Sequence, residues 1–282
     1  MADDVIAVGA RLSRRSRMPV FLGLCLVAVS VIYPLWFVVI TSVRTNQDYL
    51  QDPFGVPGEW TLANYLTLAR VYGVGRAFVN SLAVTSISVV IVLVVASLAA
   101  YGLAKYPVPG ARYITATLVS VMLIPGPVLI IPIYLMLSRL NLVGDYAGLV
   151  LVYVATGLPF ATFFLTLSFR GIPVEVIEAA RIDGAGFFRT LWSVVLPMGS
   201  SGIATLAVQF PGRWHELIFA FLLIPDQARR LLPPPLAGIG ERFLTDQPLV
   251  SAGLFITASV PLLLLAFASR YIMQGLQVGV SR

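Results

Sequence analysis

The 282-residue chain is 58% hydrophobic and only 11% charged, whereas soluble domains carry about 25% charged residues. A soluble core of this size cannot hide so much apolar surface, so the composition predicts a protein whose solvent is lipid. The basic residues behind the net charge of +6 are scattered between apolar runs, which argues against a nucleic-acid surface. The single cysteine, Cys25, excludes an internal disulfide and a cysteine metal cluster. Its apolar surroundings predict a buried, inert thiol.

Six apolar runs are each long enough to cross the hydrocarbon core of a bilayer, which takes about 20 residues. They predict an all-α membrane protein with six transmembrane helices, divided into an N-terminal segment (1–19), a transmembrane domain (20–273) and a C-terminal tail (274–282). The predicted spans are Val20–Thr41, Ser81–Ala104, Tyr113–Leu137, Ala147–Phe169, Gly199–Ile224 and Ser251–Met273. The first run is too long for a signal peptide and lacks a small-residue cleavage site, so we interpret it as an anchor.

The basic residues also predict the orientation of the chain. Arginines cluster between Arg11 and Arg17, just before the first span, and more basic residues follow in the segments on the same side. Because cytoplasmic loops carry an excess of Lys and Arg, we place both termini and the loop 170–198 in the cytoplasm. The long segment Ser42–Asn80 then lies outside, where its turn signals and Trp60 fit a partner-facing loop and a disordered connector equally well.

The loop 170–198 is more elaborate than a simple connection between two spans. Pro173 suits the first turn of a short helix, and Gly184 suits the left-handed cap that ends it. Between them, Ala179 and Ala180 expose little side chain, so a partner surface can come close. This pattern predicts a docking site on the cytoplasmic side. The alternative, an interfacial helix on lipid headgroups, fits the apolar second half of the loop better than its acidic first half.

No pattern in the sequence indicates bond-making chemistry. The chain has no G-x-x-x-x-G-K-[ST] phosphate loop, no H-E-x-x-H zinc motif and no Ser/His/Asp set. The single histidine, His215, makes neither a metal cluster nor a triad, so we interpret it as helix-buried or path-lining. We therefore predict no catalytic residue, no metal and no cofactor bound by this chain. Uphill transport would take its energy from an ion gradient or from another subunit.

The cytoplasmic loop resembles the E-A-A loop of the inner-membrane permease subunits of bacterial ABC importers. The similarity rests on Glu178-Ala179-Ala180-Arg181-Ile182-Asp183-Gly184-Ala185-Gly186 followed by Leu196-Pro197. Shorter stretches agree, namely Asn80-Ser81-Leu82, Ala99–Tyr106, Ile124–Tyr134, Leu158-Pro159-Phe160 and Gly212–Glu216. Within that family the chain is similar to the carbohydrate-uptake permeases of the maltose-transporter type, specifically the shorter of the two paired subunits. It departs from the pattern at His215, where the family has an asparagine.

The resemblance implies the type I ABC importer permease fold, with the loop as a coupling helix that fits a cleft on a cytoplasmic ATPase. The residues it assigns to that contact are Glu178, Ala179, Ala180, Asp183 and Gly184, with a possible tail contact at Gln274 and Gln277. The implied partners are a second permease subunit in a heterodimer, two copies of the ATPase, which use the ATP, and an extracytoplasmic sugar-binding protein. The implied location is the bacterial cytoplasmic (inner) membrane.

The implied function is ATP-driven import of a sugar or related polyol. An ion-coupled secondary transporter is the alternative, and for it only Glu216 offers an acid within a span. A membrane-embedded enzyme is a third reading, which lacks a nucleophile or a metal set. Sugar binding through hydrogen bonds and aromatic stacking makes Trp214, Tyr134 and Phe210 candidate contacts.

Two proline-containing breaks mark the predicted translocation path, because a broken helix frees backbone groups that must face protein or water. They are Pro125-Gly126-Pro127 in the third span and Phe210-Pro211-Gly212 in the fifth. Arg213 and Glu216 lie three residues apart on one helical face, which favours an ion pair at membrane depth, with an interface or subunit contact as the alternative. The candidate path residues are Pro125, Tyr134, Phe210, Arg213, Trp214 and Glu216.

Overall fold

The computed structural model describes residues 14–198, 201–242 and 246–280, and every regular element in these ranges is helical. In chain order the α-helices are α1 (Arg14–Ser42), α2 (Asn46–Gln51), α3 (Ala63–Arg70), α4 (Val74–Lys105), α5 (Ala111–Met122), α6 (Ile130–Arg139), α7 (Tyr146–Arg170) and α8 (Val174–Ile182). They continue with α9 (Phe187–Met198), α10 (Ser201–Trp214), α11 (Ile218–Leu223), α12 (Pro233–Arg242) and α13 (Gln247–Val280). Short 3₁₀ turns cover Gly126–Leu129 and Gln227–Arg229.

Four of the helices in the described ranges are long and apolar enough to cross a membrane. These stretches are Met18–Ser42, Val74–Lys105, Tyr146–Arg170 and Gln247–Ser269. They correspond to the predicted first, second, fourth and sixth spans, which confirms an all-α membrane protein. A fifth span exists if the bent pair formed by α5 and Gly126–Arg139 is counted as one. The predicted total of six is therefore not reached by continuous helices.

The predicted third span is bent rather than straight. Helix α5 ends at Met122, and the next helical stretch leaves at an angle of 94°. Pro125 and Pro127 have no N–H to donate, so an α-helix cannot continue through them. The chain instead makes the 3₁₀ turn Gly126–Leu129 before α6 begins.

The predicted fifth span, Gly199–Ile224, is also interrupted. Residue 199 lies outside the described residues, and α10 ends at Trp214, before α11 begins at Ile218. Within the described residues, the interruption of this predicted span lies between Trp214 and Ile218. At the other end of the chain, the backbone of α13 stays helical through the predicted tail to Val280. The side chains of Gln274 and Gln277 lie outside the described part.

The described residues fall into two compact units. The first holds the residues up to Thr67 together with 246–255, and the second holds the rest. In the first unit, the side chains of α1 from Met18 to Trp36 are exposed, and Cys25 is among them. The prediction of a buried thiol at Cys25 is therefore wrong, because the hydrophobic window of this helix is left unburied by the described residues.

The second unit is built around α4 and α7, which lie against each other, with α10 packed on both and α5 on α7. Small residues let the two long helices approach closely, including Ala96 and Ala100 on α4 and Ala161 on α7. The same core continues into the loop between α7 and α10, because Ile177, Leu191 and Val195 are buried in it. The core of the long apolar helices and the loop 170–198 are thus packed together.

Candidate functional site

The E-A-A segment forms the helix and turn that its sequence predicts. Helix α8 begins directly after Pro173 and ends at Ile182. Gly184 follows with a φ of +78°, a left-handed conformation that side chains with a β-carbon resist. The backbone N–H of Ala185 donates to the carbonyl of Ala180 at 2.9 Å, which closes the end of the helix.

One face of α8 is buried and the other is exposed. Ile177 and Ala180 point into the core, and Ala180 is only 9% exposed. The opposite face carries Glu178, Ala179 and the strongly exposed Ile182, whose side chain is 86% accessible. Asp183 and Gly184 are exposed as well. Four of the five predicted coupling residues are therefore available to a partner. Ala180 is not, because it lies on the same side of the helix as Ile177.

Sequence reasoning missed Ile182, although a signal was present. An isoleucine between Arg181 and Asp183, out of phase with the buried Ile177, has no place in the core of an amphipathic helix. Val174 is also exposed, at the start of the same helix. The exposed face is therefore acidic and apolar together, which is the mixture found where protein surfaces meet.

An aromatic cluster joins the loop to the end of α4. The ring of Phe187 lies 4.8 Å from that of Tyr101 and 5.5 Å from that of Tyr106, measured between centroids. The guanidinium of Arg181 lies over the Tyr106 ring at 5.2 Å. Lys105, the last residue of α4, donates from its Nζ to the backbone carbonyl of Ile172. These contacts therefore attach the loop to the C-terminal end of α4.

A π-helical turn interrupts α9 at Leu191–Val195. The backbone N–H of Leu196 donates to the carbonyl of Leu191, five residues back, and Pro197 follows without an N–H of its own. Leu191 and Val195 are both fully buried. Such turns are rare and occur frequently at functional sites. Here the π-helical turn lies between α8 and α10 along the chain, so it connects the exposed loop with the apolar helix that follows.

Within the apolar helices of the second unit, a polar cluster connects α7 with α10 and the break after it. The Tyr153 hydroxyl donates to Glu216 Oε2 at 3.0 Å, and Arg213 Nε donates to the Tyr153 carbonyl at 3.2 Å. Gln209 Nε2 donates to the carbonyl of Gly157 at 2.8 Å. The direct ion pair favoured for Arg213 and Glu216 is absent from the ion pairs of the described residues. Both side chains engage Tyr153 instead.

The side chain of Glu216 also binds the N-terminus of the next helix, α11. Its Oε1 accepts from the backbone N–H of Phe219 at 2.9 Å, and its Oε2 accepts from that of Ala220 at 3.0 Å. These are N-terminal donors of α11, which have no partner inside the helix. The carboxyl group therefore has a structural task at the break between α10 and α11.

The other predicted path residues differ in their surroundings. Trp214 is buried, and its Nε1 donates to the Thr257 carbonyl at 2.8 Å, while the buried Phe210 stacks on its ring at 5.7 Å. Within this chain both belong to the packed interior and present no surface to a ligand. Tyr134 is half-buried against the core of α7, and Pro125 is exposed at the bend of the third span.

His215 is exposed, so the helix-buried interpretation of it is wrong; its Nδ1 lies 3.0 Å from the carbonyl of Pro211. Tyr153 and Gln209, which do form the cluster, were not predicted, because each is a single polar residue inside an apolar run.

Residues 93–281 match the family described as the binding-protein-dependent transport system inner membrane component. The chain belongs to this family. Two relatives illustrate it. The permease is 32% identical over 262 residues to the diacetylchitobiose uptake system permease of Streptomyces coelicolor, covering 92% of this chain and 87% of that one. It is 34% identical over 234 residues to the alpha-glucoside transport system permease of Rhizobium meliloti, covering 79% of this chain and 60% of that one.

A solved structure shows the same fold. The permease matches a chain of a bacterial ABC transporter involved in the import of the acidic polysaccharide alginate, with a TM-score of 0.75 and 19% identity. The match covers 92% of this chain and 97% of the other. The fold is therefore that of an ABC importer permease, the type I fold expected from the E-A-A loop.

Proposed function

We propose that this permease is a transmembrane subunit of an ATP-driven importer that moves a saccharide or a related polyol delivered by an extracytoplasmic binding protein. The observation that carries the proposal is α8, which presents an exposed acidic and apolar face while its opposite face lies in the transmembrane core. A partner that pulls or pushes on that face moves the packed helices with it. The names of the relatives, which concern diacetylchitobiose and alpha-glucosides, support the substrate class.

The partner on this face is a cytoplasmic ATPase in our proposal, present in two copies, one for this chain and one for a second permease. The chain has no phosphate loop of its own, so the energy of ATP enters from outside it. Glu178, Ala179, Asp183 and Gly184 form the contact, to which we add Ile182. Both termini are cytoplasmic in this arrangement, as the distribution of basic residues predicts.

The alternative, an ion-coupled carrier, is weakened by the role of Glu216. It was the only acid that sequence reasoning could offer for carrying the coupling ion. Its two oxygens already accept from Tyr153 and from two backbone N–H groups at the start of α11. A carboxyl group that holds a helix start is poorly suited to exchange ions in each transport cycle.

The experiment is a charge reversal on the exposed face. We expect Glu178→Lys to abolish ATP-dependent saccharide uptake, because the substitution changes the docking face and leaves the core untouched. Gly184→Pro should have the same effect, because proline cannot adopt the positive φ of that position. The permease should still reach the membrane, as judged by its amount in the membrane fraction.

The matched control is Arg112→Glu, an exposed charge reversal on another cytoplasmic segment, which should transport normally. Normal uptake by both Glu178→Lys and Gly184→Pro would refute the coupling role. Uptake that continues when ATP is depleted and stops with an uncoupler would establish the ion-coupled alternative. The saccharide itself is identified from the ligand that copurifies with the partner binding protein.

A further inference from the structure

The segment that follows α1 is held in shape by a buried arginine. Arg44 is 1% exposed, and its Nε donates to Asp48 Oδ2 at 2.7 Å. Its remaining nitrogens donate to the backbone carbonyls of Gly55, Asp48 and Asp52 at 3.1, 3.1 and 2.8 Å. Asn64 adds two side-chain hydrogen bonds, to the carbonyls of Ser42 and Arg44. The disordered-connector interpretation is therefore wrong for the residues from Ser42 to Asn64.

This ordered segment presents apolar side chains outward. Phe54 is 76% exposed and Val56 is 74% exposed, and Leu50, Trp60 and Leu62 are exposed to a similar degree. No basic residue lies between Arg44 and Trp60, and the charge of Arg44 is covered by Asp48 and by carbonyls. The loop has an ordered backbone and nevertheless exposes the side chains of Phe54 and Val56. Exposed apolar side chains of this kind mark a surface that binds another apolar surface.

The position of Phe54 shows which surface that is. Its ring lies 6.1 Å from the ring of Phe37, which is on the last turns of α1. Phe37 precedes Ser42 by five residues, or about 7.5 Å along the helix axis. Helical side chains also lean towards the N-terminus of their helix, which sets the Phe37 ring farther from the end of the span. The loop therefore turns back along the flank of α1.

That flank belongs to a predicted span. The apolar window of α1 is unburied within the chain, and Tyr33 and Trp36 are exposed next to Phe37. The rings of Tyr33 and Phe37 are 6.4 Å apart, so Tyr33, Phe37 and Phe54 form a continuous aromatic row. Aromatic side chains collect at the level of the lipid headgroups, where an apolar ring can be buried beside polar groups.

We propose that the loop from Asp52 to Gly58 is a membrane anchor, with Phe54 and Val56 inserted among the lipids of the leaflet where α1 ends. The occupant of this apolar surface is the bilayer interface. The anchor fixes the level of α1 in the membrane and holds the Arg44-ordered segment against the lipid surface. The proposal depends only on contacts within the first unit and is independent of the function proposed above.

The single cysteine makes the test direct. In a Cys25→Ser background, one cysteine is placed at Phe54, Val56, Glu59 or Leu26, labelled with a nitroxide, and the intact transporter is reconstituted in phosphatidylcholine–phosphatidylglycerol vesicles. Collisions with oxygen report lipid, and collisions with a neutral, water-soluble nickel chelate report solvent. Leu26, exposed in the middle of α1, is the lipid control, and Glu59, an exposed charge in the same segment, is the water control.

We expect the labels at Phe54 and Val56 to show an oxygen-to-nickel collision ratio several-fold above that at Glu59 and close to that at Leu26. A ratio equal to that at Glu59 would place the loop in water and overturn the proposal. Low collision rates with both reagents would mean that another protein chain covers the loop, which also overturns it. If the variant labelled at Phe54 or at Val56 is lost during purification, the collision ratio at the other position decides the outcome.

Discussion

The Tyr153 hydroxyl and Glu216 Oε2 lie 3.0 Å apart, and their hydrogen bond joins the middle of α7 to the break between α10 and α11. Sixty-three residues separate the two in the chain. The same carboxyl group accepts from two backbone N–H groups at the start of α11. The side chain of Glu216 therefore caps the start of α11 and links that helix to α7.

Removing that carboxyl group should destabilise the permease. We expect Glu216→Ala to lower the free energy of unfolding by about 2–4 kcal/mol, because it removes a helix cap worth about 1 kcal/mol and leaves the buried Tyr153 hydroxyl without its acceptor, at a further cost of about 1–3 kcal/mol. Thermal unfolding of the purified transporter in detergent measures the change. Tyr153→Phe should lose only about 1 kcal/mol, since the Glu216 carboxyl group that loses this donor still accepts from two backbone N–H groups.

The control for these variants is Tyr113→Phe, at an exposed tyrosine on α5. Its midpoint of unfolding should match that of the unmodified protein. If Glu216→Ala were as stable as Tyr113→Phe, the carboxyl group would not be holding α11, and the ion-coupled interpretation of Glu216 would regain its basis.

A side chain at Gly157 should lower the stability of the permease. A β-carbon built there would lie 3.0 Å from a terminal nitrogen of Arg213 and 3.1 Å from a methyl carbon of Val92. We expect Gly157→Ala to cost about 1–3 kcal/mol, because Arg213, Val92 and Gln209 must each give way by a few tenths of an ångström, which strains the hydrogen bond from Gln209 to the Gly157 carbonyl. Thermal unfolding in detergent again measures the effect.

Gly102 provides the comparison for Gly157. It lies within α4, and a β-carbon there would meet nothing within 4 Å. Gly102→Ala should therefore stabilise the protein by about 0.5–1 kcal/mol, since alanine is the better helix former. Equal effects at the two glycines would show that close approach of α10 to α7 is not what Gly157 provides.

The sequence predicted what depends on local chemistry and on the length of apolar runs. Four spans follow from uninterrupted apolar stretches, and the end of α8 follows from the conformational freedom of Gly184. Pro125 and Pro127 predicted a break, but the 94° angle at it depends on packing that no local pattern encodes. Ala180 was predicted as a coupling residue together with Ala179, but it is only 9% exposed and lies on the side of α8 that also buries Ile177.

The polar cluster was less accessible to sequence reasoning. Arg213 and Glu216 attracted attention because charge is rare in apolar runs, and their spacing favoured a direct pair. The actual partner, Tyr153, lies on a different helix and looks like any interfacial or core tyrosine in the sequence. Long-range contacts of this kind arise from the register between packed helices, which a single sequence does not show.

The order of the segment after α1 should depend on pH. The hydrogen bond from Arg44 holds the pKa of the Asp48 carboxyl below its ordinary value of 3.8. A lowered pKa in the folded state means that the pair stabilises the loop fully above pH 3.8, and that this stabilisation is lost as the pH falls through the lower, folded value. We expect a nitroxide at Phe54 to gain mobility below pH 3.8 and to be unchanged between pH 7 and 5.

Asp48→Asn is the matched control, because it keeps the shape of the side chain and removes its titration. In that variant the mobility of the label should be higher at pH 7 and should no longer respond in the acidic range. An acid response that persists in Asp48→Asn would show that the pair of Arg44 and Asp48 is not its source.

Substitutions on the two faces of α8 should have different effects, one on binding of the ATPase and the other on stability. Ile182→Asp changes a side chain that is 86% exposed, so we expect unchanged thermal stability and a loss of ATPase capture when the transporter is assembled. Ala180→Leu adds volume to the buried face and should cost about 1–3 kcal/mol of stability. Capture of the ATPase by Ile182→Asp at normal levels would show that the exposed isoleucine is not part of the docking surface.

The aromatic cluster should transmit force from the loop to α4. Two of the ring contacts of Phe187 reach Tyr101 and Tyr106, and each is worth about 0.5–1.5 kcal/mol. In Phe187→Ala, we expect the ATPase to bind and hydrolyse ATP while less saccharide is moved for each ATP, since the loop can shift without carrying α4. The ratio of uptake to hydrolysis in proteoliposomes measures this uncoupling. Phe187→Tyr keeps the ring and should restore the ratio, whereas a purely structural role would lower uptake and hydrolysis together and leave the ratio unchanged.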